Sequence, residues 1–246
     1  MCPRQTDPGF ELLGPLAEEV RRVFPRASSR RVFLGYGIDD RDFGDQQARL
    51  RATPLEDWTL ADGLVYLSAS WVDDAAGLQR VLPRLLELLG LHLLDAVPLL
   101  EALASRLEAS GLASWGEPER EAVQGFLAGC WRCLLARAPL SATAAAGSFA
   151  RVLPDLRPEL RELLEEPALS EGPLPVAAFI DAWCRSPLDA QPHAPDAPAR
   201  AQVLLWLREP RTLAALEAAF FRAADLQEAE ALSAAVQLVQ AVASGT

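Results

Sequence analysis

The sequence predicts an all-α fold, an irregular helical bundle or a short α-solenoid-like stack of about eight to ten helices. Three observations lead there. Beyond residue 57, apolar residues recur at three- and four-residue steps in almost every segment. No segment alternates with period two for long enough to claim a sheet, and RRVFLGYGI, residues 30–38, is the only strand-like stretch. Prolines fall between the periodic segments or at helix starts, where a missing N–H costs little.

Residues 1–57 form a mixed N-terminal segment. It holds one short helical candidate, ELLGPLAEEVRRVF, and a Gly- and Asp-rich part, residues 31–57, that reads as the least regular of the first half. The main helical region is expected over 58–185. Within it, SASWVDDAAGLQRVLPRLLELLG, residues 68–90, sets Leu78, Leu82, Leu85 and Leu89 on one helical face, with Val81 and Leu88 beside it. Pro83 interrupts that face. It removes the bond its N–H would give to Gln79 and costs about 3 kcal/mol in an unbroken helix. The expectation is a kink, or a new helix with Pro83 in its first turn, with Asp73 or Asp74 capping the earlier piece.

Next, residues 94–109 align Val97, Leu100, Ala104 and Leu107, with Asp95 as the expected cap and Pro98 in the first turn. EPEREAVQGFLAGCWRCLLARA opens on Pro118 and on acids that suit a helix N-terminus. DLRPELRELLEE and PVAAFIDAWCR read as short helices between prolines. SPLDAQPHAPDAPA, residues 186–199, is a proline-rich loop or linker. Residues 200–246 are expected to pack on the main region as C-terminal helices. In the last of them Asp225 and Glu228 have capping-box spacing, and Ala229, Leu232, Val236, Val239 and Ala243 form the stripe.

Composition narrows the function classes. The chain has 246 residues, half of them hydrophobic, enough for a core that needs no metal or disulfide. The formal net charge is −11, and all 23 basic residues are arginine. Such a chain is repelled by phosphate backbones, and no arginine cluster interleaves with aromatics, so nucleic acid is not an expected partner. No apolar run reaches the roughly 18 residues that a membrane helix needs. The N-terminus lacks the basic and apolar regions of a secretory leader, so a cytoplasmic protein with reduced cysteines is expected.

The residues that carry chemistry are few. CWRC places Cys130 and Cys133 on one side of a helical turn, and Cys184, His193 and Cys2 complete the thiol and imidazole candidates for a metal. These lack paired spacing. A redox CxxC belongs after a strand at a helix start, whereas this one lies inside a helical pattern and continues the face of Val123, Phe126 and Leu134. A buried structural pair is the expectation. The acidic stretch IDDRDFGD (Asp39, Asp40, Asp42, Asp45) lacks the distal glutamate of a calcium hand and reads as a solvated turn. His92 is expected to be packed or at a helix end, His193 exposed, and the Glu165–Glu166 pair solvated at a helix end. No nucleophile motif is present from which a catalytic site could be assembled. Most of the six tryptophans are expected in the core.

Several segments carry a family resemblance. Trp71, Asp73 and Asp74 followed by Leu82, Pro83, Arg84, Leu85, Leu86, Glu87 and Leu88 resemble the signature of a bacterial family of uncharacterised proteins. That signature is a tryptophan, an acidic turn and an aromatic-Leu-Pro-Arg-Ile/Leu-Leu-Glu-Leu run. TPLEDWTLADGLVYLSAS, WGEPEREAVQGFLAGCWRCLL and LLWLREPRTLAALEAAFF are similar to further segments of the family, in the same order, over residues 50–223. Many relatives carry a cysteine-rich stretch where this chain has GYGIDDRDFGDQQARLRA, so no metal or redox role attached to that element transfers. The resemblance implies a helical fold and a bacterial origin, and brings no activity with it.

Two functional readings follow. The first is a non-enzymatic, cytoplasmic helical protein–protein interaction module without a cofactor, in its most specific form an antitoxin- or immunity-like protein whose acidic patch covers a basic partner. The alternative is a Cys/His metal-binding or redox-sensing protein resting on Cys130, Cys133, Cys184 and His193.

Overall fold

A computed structural model describes residues 8–24, 41–68, 75–165, 173–185 and 197–244. Among them lie twelve α-helices and two single 3-10 turns, with no strand, which is an all-α helical bundle. By internal contacts the chain divides into two compact units, residues 1–130 and 131–246. The division falls inside one helix, between Cys130 and Trp131. Gly129 stands next to that point, but inside an apolar helical pattern it gave no sign of a division.

The first unit holds α1 (Pro8–Val23), α2 (Arg41–Ala52), α3 (Leu60–Ser68), α4 (Ala75–Leu91), α5 (Val97–Ala109) and the first part of α6 (Glu117–Arg137). Helix α4 is its apolar axis. Leu78, Val81, Leu82, Leu85, Leu86, Leu88 and Leu89 are all buried. The helix runs unbroken through Pro83, so the expected new helix start at the proline does not occur. Seven buried side chains, each worth about 1.5–3 kcal/mol, outweigh the roughly 3 kcal/mol that one internal proline costs. Trp71, Asp73 and Asp74 lie outside the described residues.

Helix α1 packs on α4, and α3 packs on α4 and α5. Leu13 of α1 reaches the backbone of two other helices. A Cβ added at Gly129 would stand 3.0 Å from Leu13 Cδ2 and 2.6 Å from Leu16 Cδ1, and one at Gly90 would stand 3.4 Å from Leu13 Cδ1. Gly129 therefore lets α1 approach α6 more closely than any side chain would allow.

Helix α2 corrects the reading of residues 31–57 as irregular. Asp42 and Asp45 sit on this helix rather than in a solvated turn, while Asp39, Asp40 and RRVFLGYGI lie outside the described residues. The helix escapes periodicity because Leu50 is its one residue placed in the core among those whose burial is described. It is held instead by Arg49, which pairs with buried Asp62 of α3. Asp62 also accepts from Thr59 N at 2.8 Å and Thr59 Oγ1 at 2.6 Å, closing a Thr-x-x-Asp capping box at the start of α3. Recovering α2 from this region accounts for part of the excess over eight to ten helices.

A second correction concerns α5, whose cap position is Ala96, with no side-chain cap bond. Asp95 lies in the preceding turn, where its N–H donates to the His92 carbonyl at 2.9 Å. His92 is exposed and ends α4, its N–H donating to Leu88 O at 3.1 Å.

The second unit begins with Trp131 and the end of α6. It continues through α7 (Pro139–Val152), α8 (Arg157–Glu165), α9 (Leu174–Arg185), α10 (Ala197–Leu207), α11 (Pro210–Phe220) and α12 (Leu226–Ser244). Its aromatic centre is Trp131, with Phe149 of α7 and Phe179 of α9 at ring-centroid distances of 5.3 and 5.7 Å. The Trp131 indole N–H donates to Leu156 O at 3.2 Å, so this buried ring is also satisfied. Buried Ala142, Ala145 and Ala146 give α7 a flat face, and α9 and α10 pack on that helix. The capping box of α12 forms as its spacing predicts, Glu228 N donating to Asp225 Oδ1 at 2.8 Å. Its buried line is Leu232, Ala235 and Val239, whereas Ala243 near the helix end is exposed.

Candidate functional site

Helix α6 carries the cysteine pair. Cys130 and Cys133 are three residues apart, about one turn, and both are buried thiols. Val123, Phe126 and Leu134 are buried along the same run, as their spacing predicts. Cys184 of α9 is a half-buried thiol, and burial together with the nearby Asp181 carboxylate pushes its pKa above the ordinary thiol value. The thiol form is thereby favoured over the thiolate that ligates metals and exchanges disulfides. Cys2 and His193 lie outside the described residues. Among the described residues no group of three or more His, Cys, Asp or Glu side chains stands together as a metal site.

Charged side chains cluster instead where α8 meets the turn between α10 and α11. Arg157 forms a two-armed pair with Asp155, Nε to Oδ1 at 2.8 Å and Nη2 to Oδ2 at 2.9 Å. Glu209, in the turn before α11, accepts from Arg161 Nε at 3.0 Å and from Arg211 Nε at 2.8 Å. The Arg157 guanidinium holds the Asp155 carboxyl below its ordinary pKa. Arg161, and then Arg211, do the same to Glu209. Glu159, in the first turn of α8, goes the other way. Burial raises its pKa, the neighbouring Glu162 and Asp155 carboxylates add to the rise, and its Oε2 is buried without a hydrogen-bond partner. The arrangement fastens α8 to α11. Asp155 and Glu209 are paired with neighbouring guanidinium groups, which suits a brace between helices.

A third feature lies at the tip of the α11–α12 hairpin. Leu216 and Ala219 are buried, but Phe220 is 36% exposed, Phe221 83% and Leu226 74%. The two phenylalanine rings meet edge to face, 5.4 Å between centroids. The turn beneath them is tied down by its own backbone. Phe221 N donates to Glu217 O at 3.1 Å, Arg222 N to Ala219 O at 2.9 Å and Ala223 N to Phe220 O at 3.2 Å. Arg222 Nε donates to Ala218 O at 3.1 Å, and Ala224 N donates to Glu228 Oε2 at 2.7 Å. Between Leu213 and Glu230 the carboxylates Glu217, Asp225, Glu228 and Glu230 stand against the single arginine Arg222.

The sequence reading passed over this tip because hydrophobicity alone places Phe220 and Phe221 in a core. The signal was present. The Asp225 capping box starts a new helix soon after the two phenylalanines, which places them at a helix end.

The five described tryptophans, Trp58, Trp115, Trp131, Trp183 and Trp206, are all buried and so belong to the core. Glu165 is exposed at the end of α8, and Glu166 lies outside the described residues. No helix among the described residues is long and apolar enough to cross a membrane. Comparison with protein-family models, with curated proteins and with solved structures finds no match, so the family resemblance rests on the quoted segments alone.

Proposed function

We propose that this chain is a non-enzymatic helical module that binds another protein in the cytoplasm, with an acidic surface that attracts a basic partner. The carrying observation is the charge balance, −11 over 246 residues, on a scaffold whose polar clusters are structural ties. Asp62 caps α3 and anchors α2. Thr212 is buried and donates to Trp206 O at 2.8 Å. Glu209 gathers Arg161 and Arg211. In the most specific version, the module is antitoxin- or immunity-like and covers the basic face of a toxic partner. The competing metal or redox reading depends on Cys184 and His193 joining the α6 pair, and the raised pKa of Cys184 works against it.

The test is purification of the full chain from its own cells at low ionic strength, followed by reassembly with the co-purifying protein from purified components. A stoichiometric basic partner is expected. An acidic partner, or a chain that remains alone and carries stoichiometric zinc, would sink the proposal.

A further inference from the structure

The tip of the α11–α12 hairpin has the chemistry of a docking anchor, and it rests on the reading of the chain as an interaction module. We infer that Phe221, supported by Phe220 and Leu226, packs on an apolar surface of a partner protein flanked by arginine or lysine.

Three observations define that occupant. The first is apolar exposure concentrated at one place. Phe221 and Leu226 are 83% and 74% exposed within six residues of chain, beside a partly exposed Phe220. Aromatic side chains are enriched among the anchors of protein interfaces because one ring buries a large area with few rotatable bonds.

The second is rigidity. Backbone bonds from Phe221, Arg222 and Ala223, together with the Glu228 side chain on Ala224 N, fix the turn before any partner arrives. Little ordering entropy is then lost on docking, which favours a formed anchor over a flexible loop.

The third is charge. Residues 213–230, the stretch of chain that carries the aromatic pair, hold four carboxylates and one arginine, and Arg222 is bonded to its own helix through Ala218 O. A second copy of this chain would bring the same negative charge and be repelled, and an anionic lipid surface would be repelled for the same reason. Basic groups flanking an apolar surface match both the ring and the charge of its stretch of chain.

The probe is a synthetic amphipathic helix of about 18 residues with leucine on one face and arginine on the other, followed by fluorescence anisotropy against the full chain. A matched peptide with glutamate replacing arginine, and phosphatidylglycerol vesicles, are run in parallel. Saturable binding of the arginine peptide is expected, weakened about tenfold or more by Phe221→Ala and changed less than about twofold by Leu140→Ala, a substitution at another leucine 75% exposed to solvent. Far-UV circular dichroism and the melting temperature of Phe221→Ala should match the parent, because the ring is outside the core. Equal affinity in Phe221→Ala would overturn the docking surface, as would preference for the glutamate peptide, vesicle binding, or self-association lost in Phe221→Ala. Arginine-peptide binding that survives Phe221→Ala would leave the wider interaction reading standing. Failure of any basic protein to associate with the native chain would remove that reading itself.

Discussion

The Arg84 guanidinium donates from Nη2 to the main-chain carbonyl of Trp58 at 2.6 Å, joining residues 26 apart in sequence. Its Nη1 lies 3.1 Å from Glu87 Oε2, and Glu87 lies 3.5 Å from Arg21 of α1. The Pro-Arg pair in the middle of the leucine run thus has a structural use. Arg84 ties the segment before α3 to α4, and Glu87 carries the tie on to α1.

Arg84→Met keeps the apolar stem and removes these bonds, leaving the Trp58 carbonyl without this donor. The expected loss is about 1.5–3 kcal/mol, the range for hydrogen bonds to charged groups, read as a fall in the urea midpoint. An unchanged midpoint would show that Arg84 merely covers the surface.

Pro83 and Leu85 give opposite outcomes two residues apart. Leu85 is fully buried, so Leu85→Ala should cost about 2–5 kcal/mol through the cavity it leaves. Pro83 lies inside a continuous helix, so Pro83→Ala restores an N–H facing Gln79 and should be neutral or stabilising. A large loss in Pro83→Ala, by thermal melting, would mean that the neighbouring helices require the proline's own shape.

Much of this arrangement is legible in the sequence where one side of a helix is strongly apolar. The Leu78, Leu82, Leu85 and Leu89 stripe, the Cys130 face and the Asp225 cap are there because burial and capping impose a spacing. Helix α2 is hidden because its hold on the fold is a single leucine and a charged pair, which leave no period. Asp95 misleads because a cap depends on backbone direction, and the chain turns at Ala96 instead. The Phe220–Phe221 tip is missed because residue type reports hydrophobicity, while exposure depends on where α11 ends.

Cys130 and Cys133 are expected to act as small buried hydrophobes. Cys130→Ser and Cys133→Ser should each destabilise by roughly 1 kcal/mol or a little more, with no change in metal content by elemental analysis. Stoichiometric zinc in the parent that is lost in these variants would favour the metal-binding alternative.

Glu159 sets a pH dependence whose sign differs from that of its neighbours. Asp155 and Glu209 have lowered pKa values, so their contribution is present above the ordinary carboxylate pKa and is lost as pH falls through the lowered value. Glu159 has a raised pKa, so its carboxyl favours the fold at low pH and detracts as pH rises through the raised value. Glu159→Gln removes only this last effect. Its melting temperature should gain on that of the parent between about pH 4 and pH 7, and a difference flat across that range would contradict the burial of the charge.

The central claim, that an acidic helical module recruits a basic partner, is tested most directly by association kinetics with the native partner across a salt series. The excess of 34 acids over 23 arginines should accelerate encounter at low salt. Screening at roughly 0.15 M ionic strength removes exposed interactions beyond about 8 Å. The account predicts a steep fall in association rate between low and moderate salt with a much smaller change in dissociation rate. An association rate indifferent to salt would contradict it.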